Sequence, residues 1–394
     1  MRDPELRMWL RCVRAARVGV PAVRRLIQRF GQLDAAWDEG RRGWLAAGIE
    51  ARSCDALEAV AESDLDTDLA WLGDPAAPHP RRFCPVDDGE FPVLLAESPH
   101  PPIGLFVVGD PALLWQPQLA IVGSRHPTAA GQENAAAFAA ALSESGFTIT
   151  SGLAEGVDHA AHRAALDAGG ATIAVMGTGP DSIYPRANRA LGVDIAARGA
   201  LVTEFAPGTG ARRDHFPRRN RIIASLSLGT LVVEAGVQSG ALISARMAME
   251  AGREVMAIPG SIHNPLARGC HRLLREGAAL IETVDDVLDV LRAPALQLAE
   301  RFRLQLGPVQ TRPGSARDGA GDASSTHDPE HRRVLDALGF DPCRIEQLAE
   351  RTGLTLPALS SILLLLELDG LVTAEHGRYA RTAPTAARNT PGPA

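Results

Sequence analysis

The sequence predicts an α/β protein built on a doubly wound, mostly parallel sheet. A small helical module precedes that sheet and a winged helix follows it. Three observations carry this expectation. Between Leu119 and Glu282, short apolar runs alternate with helical segments. The runs are nearly continuous in apolar residues, as in strands covered on both faces. And 394 residues exceed what one such domain uses, which leaves room for a unit on either side.

Residues 1–75 read as short helices separated by turns. Within them, Val18-Gly-Val-Pro-Ala-Val opens a helix that Gly31 stops, because proline suits a first turn and glycine a C-terminus. The stretch resembles a helix-hairpin-helix or SAM-like module, a type that often touches DNA backbones; a plain packing domain explains it equally. Residues 76–109 are a proline-rich linker with one lead-in strand near Pro101–Asp110.

Over 110–292 the strand candidates are Leu119–Gly123, Phe147–Ser151, Thr172–Gly177, Leu201–Phe205, Gly229–Glu234 and Glu254–Pro259, with a last one at Ala279–Glu282. Helices fall at Gly131–Ser145, Val157–Ala168, Ile195–Arg198 with its lead-in, from Pro217 onward, and Leu242–Ala251. Residues 293–328 contain Gly314-Ser-Ala-Arg-Asp-Gly-Ala-Gly-Asp-Ala-Ser-Ser325 and read as a flexible linker. Residues 329–381 give three helices, His331–Leu338, Ile345–Glu350 and Leu356–Leu368, then a hairpin around Gly377, the pattern of a winged helix. Residues 382–394 read as a disordered tail.

Composition narrows the function. Net charge is −7, so the whole chain does not advertise nucleic-acid binding and any such role needs a local basic patch. All 40 basic residues are arginine, so arginine richness means little and only position counts. Five scattered cysteines form no Cys-x-x-Cys, which argues against a disulfide framework or zinc site and fits a reducing cytoplasm. No apolar run reaches the ~18 residues of a membrane span, and Met-Arg-Asp-Pro-Glu does not start a signal peptide.

Ligands of doubly wound sheets bind beyond the carboxyl ends of the strands. Four such ends are informative. Gly123-Ser124-Arg125, with Thr128, offers a tight turn and donors for a phosphate. Ser151-Gly152 ends the second strand in the same manner; Asp158 beyond it reads as a helix-start residue, and His159 and His162 as surface or satisfied histidines. The third is Met176–Asn188, where Tyr184 fixes a loop or lines a pocket. The fourth joins Arg213, Phe216, Arg218, Arg219, Asn220 and Arg221 to Glu234 and to Ser239-Gly240, which open another helix. A helix N-terminus with arginines favours an anion, and a ring beside arginines suits single-stranded nucleic acid. Glu234 is expected to hold Arg219 or Arg221 in place rather than to act as a base. No Walker sequence, Ser/His/Asp order or metal-ligand spacing stands out. Several anion cradles without a nucleophile suit an extended polyanion better than catalysis.

These motifs together resemble the DprA/Smf family, the DNA-processing proteins of natural transformation. The match lies in Ile121-Val-Gly-Ser-Arg, Ser151-Gly-Leu-Ala-Glu-Gly-Val-Asp, Gly177-Thr-Gly-Pro-Asp-Ser-Ile-Tyr-Pro, Phe216-Pro-Arg-Arg-Asn-Arg-Ile-Ile-Ala-Ser-Leu-Ser, and Val232-Val-Glu-Ala with Ser239-Gly-Ala-Leu-Ile. It spans roughly 85–290 in order. The resemblance implies an extended Rossmann domain that binds single-stranded DNA without strong sequence preference, protects it and loads RecA onto it. It also implies a homodimer with no catalytic activity and no cofactor or metal. Gly123, Ser124 and Arg125 would cradle phosphate; Arg213, Phe216, Arg219 and Arg221 would be the basic and aromatic positions. The chain departs from the family at Thr128-Ala-Ala-Gly131, where relatives often carry an aromatic. The third helix of the winged unit is leucine-rich with Glu367 and Asp369 and lacks arginine, so it reads as a protein-interaction or structural element. An alternative is a nucleoside-monophosphate phosphoribohydrolase-like enzyme using Glu234, but that family's Pro-Gly-Gly-x-Gly-Thr loop is missing. A nicotinamide dehydrogenase lacks its Gly-x-Gly-x-x-Gly.

Overall fold

The computed structural model describes residues 3–306, 329–338, 342–368, 371–375 and 378–382. The chain divides into two compact units, Met1–Arg292 and Ala293–Ala394.

The first unit begins with six helices: α1 (Asp3–Arg14), α2 (Val20–Phe30), α3 (Leu33–Asp38), α4 (Gly40–Ala46), α5 (Ala51–Glu58) and α6 (Glu62–Leu72). Pro21 stands in the first turn of α2 and Gly31 closes it at φ 83°, as the sequence predicts. Helix α1 buries Trp9, Leu10 and Cys12 on one side. Its Arg7, Arg11 and Arg14 share a stripe that meets acids of α6. Arg7 reaches Glu62 at 2.9 Å and Asp66 at 2.6 Å, and Arg14 grips Asp68 with two bonds of 2.6 Å.

A nine-stranded sheet follows. Its strands are β1 (Arg81–Pro85), β2 (Gly104–Gly109), β3 (Gln118–Val122), β4 (Thr148–Ser151), β5 (Thr172–Val175), β6 (Ala200–Thr203), β7 (Gly229–Val232), β8 (Glu254–Ala257) and β9 (Ala279–Leu280). The spatial order is β1-β2-β6-β5-β4-β3-β7-β8-β9. From β3 to β9 every pairing is parallel, while β1–β2 and β2–β6 are antiparallel. All seven expected strands are present. The stretch read as linker and lead-in holds two strands of the sheet, not one. Arg81–Pro85 escapes a sequence reading because prolines flank it and its first two residues are arginines.

The central strands are buried along their whole length. Even Gln118 at the start of β3 is buried; its amide donates to Leu113 O and Leu114 O, and its Oε1 accepts from Thr150 at 2.7 Å. Between strands lie α7 (Val93–Ala96), α8 (Ala129–Glu144), α9 (Val157–Asp167), α10 (Arg189–Arg198), α11 (His215–Leu226), α12 (Gly240–Glu250) and α13 (Arg268–Arg275). The chain winds outward from β3 through β4 and β5 to β6, then returns to β7 on the other side of β3. The switch point is therefore between β3 and β7, and a ligand crevice is expected beyond their carboxyl ends.

Helix α14 (Val284–Leu306) runs past Arg292, so the expected linker does not begin at 293. Ala295–Leu306 consists of strong helix formers, which carry the helix past Pro294. The Gly/Ser-rich part of that linker lies outside the described residues, as does the tail from 383. In the second unit, α15 (Pro329–Leu338), α16 (Ile345–Thr352) and α17 (Leu356–Leu368) pack Val334, Leu348, Leu359 and Leu363 into one core. Strands β10 (Cys343–Arg344), β11 (Val372–Glu375) and β12 (Arg378–Arg381) complete a winged helix in the order β10-β12-β11.

Candidate nucleic-acid interface

A groove of about 910 Å³ opens at the switch point. The turn after β3 supplies Gly123, Ser124 and Arg125; the connection after β7 supplies Gln238, Ser239 and Gly240; α11 and the loop before it supply Arg213, Phe216 and Asn220. Tyr184 and Arg268 complete it. The Phe216 ring lies 5.5 Å from that of Tyr184, centroid to centroid, and the Arg125 guanidinium stands 5.9 Å from the Phe216 centroid. This ring is positioned tightly: a Cβ on Gly177 would approach it to 3.0 Å. Arg125, Arg213 and Arg268 are exposed, and among the described residues none has a carboxylate partner. Uncompensated cations sharing a groove with a tilted pair of rings favour a polyanion that carries flat bases.

Several sequence-derived residues are engaged by the protein itself, at the floor of the groove or in another cleft. Arg219 is buried and donates to the carbonyls of Gly152 and Val175, with Nε on Asn220 Oδ1 at 3.2 Å. It lines the floor of the groove, but its guanidinium is taken up by these internal bonds, so it is a structural cation and not an exposed one. Desolvation lowers its pKa to about 10, which still leaves it charged at neutral pH. Its electrostatic partner is Asp158, whose Oδ2 accepts from Gly152 N at 3.1 Å and Ala154 N at 3.3 Å. Burial raises the Asp158 pKa, and Arg219 is the main opposing influence. Gly152 is required here, because a Cβ would sit 2.5 Å from the Arg219 guanidinium.

Ser151 is also buried, and its hydroxyl donates to Ile121 O at 2.6 Å, so it faces the sheet and not a ligand. Arg221 turns to a different cleft, where it meets Glu204 and donates to His100 O at 2.5 Å. Arg218 joins it there with two bonds to Glu204 of 3.1 and 2.9 Å.

Glu234 does not hold Arg219 or Arg221. Its carboxylate accepts from Thr128 N at 2.8 Å, Thr128 Oγ1 at 2.7 Å and Asn264 Nδ2 at 3.0 Å. Thr128 in turn caps α8 through Gly131 N, so these two residues lock the β3 turn onto the loop after β8. Ser239 caps α12 by accepting from Ala241 N at 3.3 Å, and Gly240 is exposed beside it.

Arg268 was not singled out by any motif. The only signal for it was the strand-end rule applied to β8, whose outgoing connection ends there.

The two histidines on α9 have separate partners. His159 Nδ1 lies 2.8 Å from Asn188 Oδ1, and His162 Nδ1 lies 2.7 Å from Thr172 Oγ1. Among the described residues no group of three metal-ligating side chains forms. The Thr172 hydroxyl donates to Ile149 O, so His162 carries its proton on Nδ1 and Nε2 stays unpaired in the core. Burial lowers the His162 pKa to about 3. A depressed histidine contributes stability above its unfolded pKa of 6.5 and loses it as pH falls toward 3. Unfolding stability is expected to drop below pH 6 with up to about 1.4 kcal/mol per pH unit from this group. Urea titrations should show a shallower drop for His162→Gln; equal slopes would refute the assignment.

Comparison with known proteins shows the family and the fold. A family model described as DNA recombination-mediator protein A matches residues 82–292, and one described as the DprA winged helix domain matches 319–378. Protein Smf of Synechocystis is 36% identical over 400 residues, covering 97% of this chain and 100% of that one. DNA processing protein DprA of Streptococcus pneumoniae is 46% identical over 206 residues, 52% of this chain and 72% of its own length. An X-ray structure of DprA from Streptococcus pneumoniae aligns with TM-score 0.62 at 33% identity, over 73% of this chain and 98% of that one.

Proposed function

The chain belongs to the DprA/Smf family, and on that premise we propose that it binds single-stranded DNA without sequence preference, protects it and loads RecA onto it. It acts as a cytoplasmic homodimer and without catalysis of its own. One observation carries the DNA reading: Arg125, Arg213 and Arg268, lacking carboxylate partners among the described residues, line one groove with the Tyr184–Phe216 ring pair at the switch point of the sheet. Backbone phosphates would meet the arginines, with Ser124, Asn220, Ser239 and Gly240 supplying further donors. A base would stack on Phe216. Sequence preference is not expected, because any base offers a ring face.

Glu234 is engaged by Thr128 and Asn264, which weakens the phosphoribohydrolase reading, since a base in the pocket would need a free carboxylate.

Fluorescence anisotropy with an oligo-dT strand and with a duplex of the same length tests the proposal. The single strand should bind far more tightly. Phe216→Ala should weaken it by about 1–3 kcal/mol, while the salt dependence stays unchanged because no charge is lost. Equal binding of strand and duplex, or an unaltered Phe216→Ala affinity, would sink this reading. Co-elution of a dimer and RecA-filament assembly on protected DNA test the remaining parts.

A further inference from the structure

Resting on that reading of the groove, we infer that the N-terminal helical module is a positioning element for the arginine-bearing wall, acting through the buried Arg14–Asp68 pair. The wall is the connection from β6 to α11, residues 204–214. Its first part is buried, through Pro207, whereas 210–214 are exposed and carry Arg213.

The two ends of this loop are stapled together, because Glu204 binds Arg218 and Arg221 of α11. Its middle is held from two further directions. Asp181 accepts from Gly208 N with both oxygens at 3.0 Å, and Gly179 N donates to Thr209 O at 2.8 Å. The last hold comes from the N-terminal helices of the same unit: Arg14 Nη2 donates to Pro207 O at 3.1 Å.

Arg14 is fixed for that task. Asp68, fully buried, takes Nε and Nη2 in a fork with both distances 2.6 Å. A forked guanidinium cannot rotate without breaking both bonds, so its remaining contact to Pro207 O is aimed. Only five residues lie between Pro207 and Arg213. Releasing this hold would let the tip that presents Arg213 sample other positions, and the strand would have to order it on binding. The pair, with its carboxylate fully buried, thus links a helical module that contributes no residue to the groove with one of the groove's exposed cations.

The test removes the pair without leaving a lone buried charge. Arg14→Met/Asp68→Leu replaces both members by apolar side chains of similar size and deletes the bond to Pro207. Oligo-dT affinity should fall by up to about fivefold at 0.1 M salt, the share of one phosphate contact, with the melting temperature nearly unchanged. In that background Arg213→Ala should add little, because Arg213 is already misplaced; a purely structural role would instead give penalties that multiply. Unchanged affinity, or multiplying penalties, would overturn the inference. If Arg213→Ala weakens binding in the native background while the paired variant does not, the groove reading stands and this inference falls. If Arg213→Ala has no effect in the native background, both fall. Should the paired variant fail to fold, Arg14→Lys carries the same test. An ammonium keeps the charge beside Asp68 but cannot serve the fork and Pro207 together, so a smaller loss that is again non-additive with Arg213→Ala is expected. Native affinity in Arg14→Lys would overturn the inference.

Discussion

The Arg125→Ala/Arg213→Ala variant is expected to lose about 25-fold in oligo-dT affinity at 0.1 M salt. Each phosphate contact on a single strand contributes about 0.7 to the slope of log K against log salt. Two contacts therefore contribute about 1.4, which at 0.1 M relative to 1 M is roughly 25-fold. The slope itself should become shallower by about 1.4 units, which separates this pair from Phe216→Ala, where affinity falls and the slope stays. The fold should be unaffected, because both side chains are exposed and no carboxylate among the described residues depends on them. Anisotropy titrations at several salt concentrations decide the matter. An unchanged slope would remove Arg125 and Arg213 from the interface.

The second large effect concerns stability. Arg219→Met should destabilise the protein by about 3–5 kcal/mol, the cost of leaving a buried charge without its partner. Asp158 would keep its bonds from Gly152 N and Ala154 N but lose the opposing guanidinium, and the carbonyls of Gly152 and Val175 would lose their donor. The pH dependence has a definite sign. Burial already raises the Asp158 pKa, and loss of Arg219 raises it further. A carboxyl with a raised folded pKa destabilises the native state while ionised, so the penalty should shrink as pH falls and Asp158 takes up a proton. Urea denaturation at neutral and acid pH measures it, and Asp158→Asn in the Arg219→Met background should restore part of the loss. A neutral-pH loss below about 1 kcal/mol would show that the pair is not coupled.

The sheet was largely readable from the chain because strands of a covered parallel sheet are continuous apolar runs, and every such run from Leu119 onward became a strand. Arg81–Pro85 was not readable, since an antiparallel strand at the sheet's edge needs no such run. The groove was readable in part. Gly123–Arg125, Arg213, Phe216, Asn220 and Ser239-Gly240 do meet around one groove. The cluster Arg218, Arg219 and Arg221 was read as one basic rim, and it separates in space. Successive helical residues turn by about 100°, so Arg218 and Arg221 share a face toward Glu204 while Arg219 points onto the carboxyl ends of the central strands β4 and β5.

By itself the sequence determined the α/β class, the alternation of strands and helices and the winged unit, and it marked the strand ends as candidate ligand positions. These follow from periodicity and glycine placement, which act over a few neighbouring residues. Only the tertiary structure decided which arginines face the groove and which are buried in ion pairs. It also placed Glu234 on the turn at Thr128 and brought Arg268 into the same groove as Arg125. The reason is that a charge's role depends on its partner and its burial, and those partners lie far along the chain: Arg219 with Asp158, Arg221 with Glu204, Arg14 with Asp68 and Pro207.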